Sequence, residues 1–150
     1  MNYLDKDGLR FVSSDPSMNY CLTVLMGNPA LGPYMQKLDS SPATINLNQG
    51  SGLGGPGGAN ATGDGSVGIQ NGTPSEYNVN MDVPQITSMM NTCGFPESAN
   101  ACSMLAHELG HVYANLFEGS GIEDWGLEWE RQFNGQQNKR SHDCQNQCRP

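Results

Sequence analysis

At 150 residues the chain has room for one hydrophobic core and not for two, so a single domain spanning residues 1–150 is expected. A formal net charge of −8 and an acidic pI of about 4.6 argue against nucleic acid as a partner. No apolar run approaches the roughly 18 residues of a membrane span, so no membrane role is expected either.

The first ten residues, Met1 to Arg10, carry Asp5, Lys6 and Asp7 and do not read as a secretory signal peptide. Delivery by another route, or excision of the domain from a larger protein with its own targeting segment, would account for that. Leu22 to Met26 is a short apolar run that fits either a helix or a strand. Ala43-Thr44-Ile45-Asn46-Leu47 alternates apolar and polar residues and reads as a strand, as does Tyr77-Asn78-Val79-Asn80-Met81-Asp82-Val83. Between these strands, ten of the 23 residues from 50 to 72 are glycine. This composition predicts a long irregular loop near the mouth of a cleft, whose replacement by a short linker should leave the core intact. A weak calcium site at Asn60, Asp64 and Asn71 is the other use the segment suggests. Pro84 and Gly94-Phe95-Pro96 read as loop punctuation.

A helix follows. Leu105, Leu109, Val112 and Leu116 form an apolar stripe at spacings of four, three and four. Ser98 or Asn100 can cap its start, and Gly119 can end it. Within it stands His107-Glu108-Leu109-Gly110-His111, an H-E-x-x-H motif. Residues four apart on a helix share a face, so His107 and His111 can bind one Zn²⁺ together, off the apolar stripe and toward a cleft. Glu108 lies about 100° round the helix from His107, where it can serve a zinc-bound water as general base without being a ligand. Gly110 permits close approach by a neighbouring element.

A catalytic zinc needs a third protein ligand. Ala114 and Phe117 stand where the metzincin continuation would have glycine and histidine, so that class is excluded. The segment after the Gly-Ser-Gly turn is acidic and aromatic, and Trp125, Trp129 and Phe133 recur every four residues as the apolar face of a second helix. On it Glu130, 19 positions after His111, and Glu128, at 17, compete for the metal, with Asn134 one turn beyond Glu130. The glutamate-on-a-following-helix arrangement resembles that of gluzincins, and this resemblance favours Glu130.

Leu105 to His111, then Trp129-Glu130, then Arg140-Ser141-His142, together resemble the small zinc metallopeptidase domains of bacterial effectors and of Rhs-associated polymorphic toxins. The stretch from Leu22 to Leu25 through Gly32 to Leu38 is similar to the helix and turn that open such domains, which implies a helix at 22–26. One departure is that Glu130 is followed by Arg131, where the family often has asparagine. The resemblance implies an α+β, zincin-like domain: a small, mostly antiparallel sheet packed on the H-E-x-x-H helix and a glutamate helix. It implies that an edge strand upstream of the zinc helix, near 77–83 here, binds an extended substrate by backbone pairing. It also implies a protein or peptide substrate, a secreted or delivered effector, and a cognate immunity protein as partner.

Zinc held by two neutral imidazoles and a carboxylate keeps net positive charge, so its water would ionise near neutral pH. Glu108 would take that proton and return it to the leaving amine, while His142 or Tyr113 stabilised the oxyanion. Two other functions use the same residues differently: a zinc hydrolase of non-peptide amides, and a binding module that has lost turnover. A binder has no need of Glu108.

The five cysteines, Cys21, Cys93, Cys102, Cys144 and Cys148, are an odd number. Disulfides such as one from the tail to Cys93 or Cys102, a second metal site at His142, Cys144 and Cys148, and buried free thiols are the available readings.

Overall fold

The computed structural model describes residues 11–13, 15–41, 43–55, 58–62, 76–92, 101–118, 128–129 and 133. A two-residue strand, β1 (Phe11–Val12), leads into helix α1 (Pro16–Met26). Asp15 is the cap: its side chain accepts the Met18 N–H at 3.0 Å, and Pro16, which lacks an N–H to satisfy, takes the first helical position. Met18, Cys21, Leu22 and Leu25 form the buried face of α1. Asn28 then turns the chain, its Oδ1 accepting the N–H groups of Ala30 and Leu31 at 2.9 and 3.0 Å, before α2 (Gly32–Asp39).

Strands β2 (Thr44–Gln49), β3 (Ala59–Thr62) and β4 (Glu76–Met81) complete a four-stranded sheet of order β1-β2-β4-β3. β1, β2 and β4 run parallel and only β3 is antiparallel, to β4. The α+β class holds, but the expectation of a mostly antiparallel sheet is overturned. Parallel neighbours need a long crossover, and α1 with α2 supplies it between β1 and β2. The antiparallel expectation comes with the family resemblance; the alternation in β2 and β4 reflects one buried and one polar face, which a parallel sheet can also have.

Ile45, Leu47, Tyr77, Val79 and Met81 enter the core on the buried face, with residues of α1 and α4. On the polar face the asparagines bond across the strands. Asn46 Nδ2 donates to Glu76 Oε1 at 2.5 Å, Asn48 Nδ2 to Asn80 Oδ1 at 3.0 Å, and Asn80 Nδ2 to Asn60 Oδ1 at 2.9 Å.

The glycine-rich segment is also not what its composition suggests. Residues 50–55 and 58 form turns and β3 follows, so the described part of this segment is an ordered edge of the sheet. Residues 63–75, with two of the proposed calcium ligands, lie outside the described residues. Gly52, Gly55 and Gly58 have φ of +77°, +70° and +82°, a region that side-chain-bearing residues seldom adopt. At Gly54 a Cβ would come within 2.0 Å of the Gly58 backbone. Conformation and close approach, not flexibility, explain these glycines.

Asp82 joins this loop to the next helix. It is buried; Oδ2 accepts the Gly52 N–H at 2.8 Å and Oδ1 the Gln85 N–H at 3.1 Å. It thereby begins α3 (Val83–Thr92), a helix where Pro84 suggests loop punctuation; Pro84 instead occupies the first turn, where proline is tolerated.

Helix α4 (Ala101–Glu118) packs against α1, α3, β3 and β4. Every residue from Ala101 to Gly110 is buried. Cys102 in its first turn is bonded to Cys21 of α1, with Cα atoms 4.9 Å apart. The anticipated pairing of Cys102 with the tail is therefore incorrect; the packing of α1 on α4, which spacing does not reveal, decides the partner. Cys93, Cys144 and Cys148 lie outside the described residues. Closing a sequence separation of 81 residues stabilises by about 4–5 kcal/mol in the chain-entropy account.

Replacing residues 50–72 with a short Gly-Ser linker removes β3 and uncovers apolar residues of β4 and α3. Each large side chain so exposed costs about 1.5–3 kcal/mol, which outweighs the small change in loop entropy. Urea denaturation is expected to show a loss of about 3 kcal/mol or more; an unchanged midpoint would mean that β3 contributes nothing to the core.

Candidate metal and catalytic site

The local sequence that makes α4 a helix also makes its histidines neighbours. His107 and His111 are one turn apart, with ring centroids 4.9 Å apart and Nε2 atoms 3.2 Å apart. Two arrangements produce that separation. One is an N–H···N hydrogen bond, with one ring donating and the other accepting. The other is a shared metal ion: nitrogens each about 2.0–2.1 Å from one tetrahedral zinc lie roughly 3.3 Å apart. The separation is therefore compatible with a shared zinc ion as well as with a hydrogen bond.

Burial distinguishes this site from the open cleft face the sequence implied. His107 is 1% exposed and Glu108 6%. His111, one turn further, is only partly buried, so the pair is reached from its end of the helix. The helix is covered on both sides because β3 and β4 pack against it as well as α1 and α3.

Among the described residues, Glu128 included, no third His, Cys, Asp or Glu joins the histidines in a group able to hold a metal. Glu130 and His142, the predicted third ligand and oxyanion donor, lie outside the described residues, as do Asn134 and Trp125. Their neighbours are informative. Glu128 and Trp129 have helical backbone, as does Phe133. Trp129 is 2% exposed, and Phe133 packs on the same core, as the four-residue aromatic spacing predicts.

Trp129 sits in an aromatic cluster, with centroids 5.9 Å from Tyr34 and 5.5 Å from Tyr113. Lys37 closes the cluster, with Nζ 4.3 Å from the Phe117 ring centroid and 3.5 Å from the Tyr113 hydroxyl, to which it donates. Tyr113 follows His111 by two positions and so points about 200° away around the helix. It packs Trp129 against α2 and α4, and it is a poor candidate for the oxyanion donor.

Sequence reasoning missed Asn115. It lies four residues beyond His111, is fully buried, and accepts a short hydrogen bond from the hydroxyl of the equally buried Tyr77 on β4. This bond ties the sheet to the helix one turn from the histidine pair. A polar residue in an apolar helical stretch was the available signal, but asparagine is common on solvated faces and its partner is 38 residues away in sequence.

In comparison with known proteins, no family model matches the chain, and neither does any curated protein or solved structure.

Tyr77→Phe removes the hydroxyl that donates to the buried Asn115 amide oxygen. A loss of about 1–3 kcal/mol is expected in chemical denaturation. Wild-type stability in this variant would show that the hydrogen bond does not hold the sheet and helix together.

Proposed function

We propose that the protein is a zinc-dependent metallopeptidase, of the kind found as a secreted or delivered bacterial effector or toxin domain. The observation that carries the reading is the 3.2 Å separation of His107 Nε2 and His111 Nε2 on a buried helix, with Glu108 beside them. His107 and His111 would hold the ion, with Glu130 as the third protein ligand. Zinc, when bound, supplies a Lewis acid that makes water a nucleophile near neutral pH. Glu108 accepts a proton at its carboxylate and delivers it to the leaving amine.

The sheet edge favours peptides over small amides. Asp82 N donates to the directly opposite Gly58 O at 2.8 Å, so Asn60 and Thr62 form the next hydrogen-bonded pairs with β4. The N–H and C=O groups of Ala59 and Ala61 therefore point to the outer edge of β3, where no described strand pairs. The expectation that the strand near 77–83 is the edge is corrected, since β4 is internal. β3 takes that place, and it packs against α4. An extended peptide added to β3 would lie alongside the histidine helix.

Glu108→Gln is expected to keep zinc and fold while hydrolysis of a peptide library falls about 10²-fold or more. Full turnover would refute the base assignment, and loss of zinc would make Glu108 a ligand.

Glu130→Ala is expected to weaken zinc more than the roughly 10–100-fold typical of a residue that only supports a ligand, whereas Glu128→Ala changes little. Competition with a chelator measures both. The reverse order would assign the third ligand to Glu128.

A further inference from the structure

We infer that the Cys21–Cys102 disulfide is a lasting link, formed in an oxidising compartment, that holds the histidine helix in its metal-competent position. The inference concerns regulation of the proposed zinc site and rests on that reading for its zinc readout, though not for its stability readout.

Cys102 stands in the first turn of α4, five positions before His107, which is about 7.5 Å along the helix axis. Cys21 stands in the middle of α1, so the bond joins the start of the metal helix to the element packed beside it. The loop it closes contains α2, the three strands β2, β3 and β4, and α3. Both cysteines are buried, at 4% and 3% exposure. A reductant therefore reaches the sulfurs only when α1 and α4 part locally, and the link persists once formed.

The link anchors α4 on the His107 side of the pair, five positions before that histidine, and the Tyr77–Asn115 bond anchors it on the His111 side, four positions after. Loss of the link loosens the anchorage on the His107 side, so the two ligands stay in register for less of the time.

The chemistry is ordinary thiol–disulfide exchange. A dithiol reductant attacks the S–S bond, is itself oxidised to a disulfide, and transfers two electrons and two protons, leaving Cys21 and Cys102 as thiols. Buried cysteine pairs of this kind form and last in oxidising surroundings and are rare in reducing ones.

The test compares metal-free full-length protein, oxidised and phosphine-reduced, with a Cys21→Ala/Cys102→Ala variant. Apo thermal unfolding is expected to fall by about 10 °C on reduction and by a similar amount in the variant. Zinc affinity, measured with a chromophoric chelator, is expected to weaken about tenfold or more in the variant as the ligand-competent population falls. Reduction of the variant should add little. Failure of the variant to fold at all would support the link by the same logic, with reduced wild-type protein then giving the size of the effect. Equal unfolding temperatures for oxidised, reduced and variant protein would overturn the inference. Absence of zinc binding by the oxidised protein would instead remove the metallopeptidase reading, and the redox link would stand or fall on apo unfolding alone.

Discussion

Two imidazoles and a carboxylate lie inside a helix whose first ten residues are all buried. Removing such groups from water is costly unless each finds a partner, and an unpaired buried charge costs several kcal/mol. The rest of the fold depends on meeting that constraint. His107 and His111 face each other across one turn at 3.2 Å, close enough to share a proton or an ion. Three contacts hold α4 at one rotation: Cys21–Cys102 to α1, Tyr77–Asn115 to β4, and the ring of Trp129 on Tyr113. A helix free to roll by one residue would turn the histidines about 100° away from their surroundings.

The sheet supports the same arrangement from the other side. Its polar face is stitched by asparagine amides, and the buried face carries one hydroxyl, that of Tyr77, which donates to Asn115. The glycine-rich turn and Asp82 shape the end of this sheet. Gly52 donates to Asp82, Asp82 caps α3, and Gln49 Oε1 accepts the Val83 N–H at 2.9 Å. Three glycines with positive φ and one with no room for a Cβ bring β3 back along β4. The antiparallel edge next to α4 is a consequence of this turn.

What was legible in the sequence was local. The stripe of Leu105, Leu109, Val112 and Leu116 located α4, and helical geometry alone brought His107 and His111 together. Alternation located β2 and β4, and the spacing of Trp129 and Phe133 identified their buried face. What was not legible depends on distant partners. The direction of the strands follows from crossovers, and alternation is the same for a parallel sheet with one polar face as for an antiparallel one. The partner of Cys102 follows from the docking of α1 on α4. The burial of His107 depends on the elements that pack on α4, and β3 is one that glycine content does not announce. Pro84 reads as loop punctuation but stands at a helix start, because Asp82, at the end of an alternating run, is the cap.

The central claim is that His107 and His111 bind one metal ion together. X-ray absorption at the zinc edge of protein loaded with one equivalent of zinc measures it directly. The account predicts two imidazole nitrogens at about 2.0–2.1 Å with a carboxylate oxygen at a similar distance, and loss of one imidazole in His111→Ala. A sulfur shell at about 2.3 Å, or a spectrum unchanged by His111→Ala, would place the metal elsewhere and contradict it.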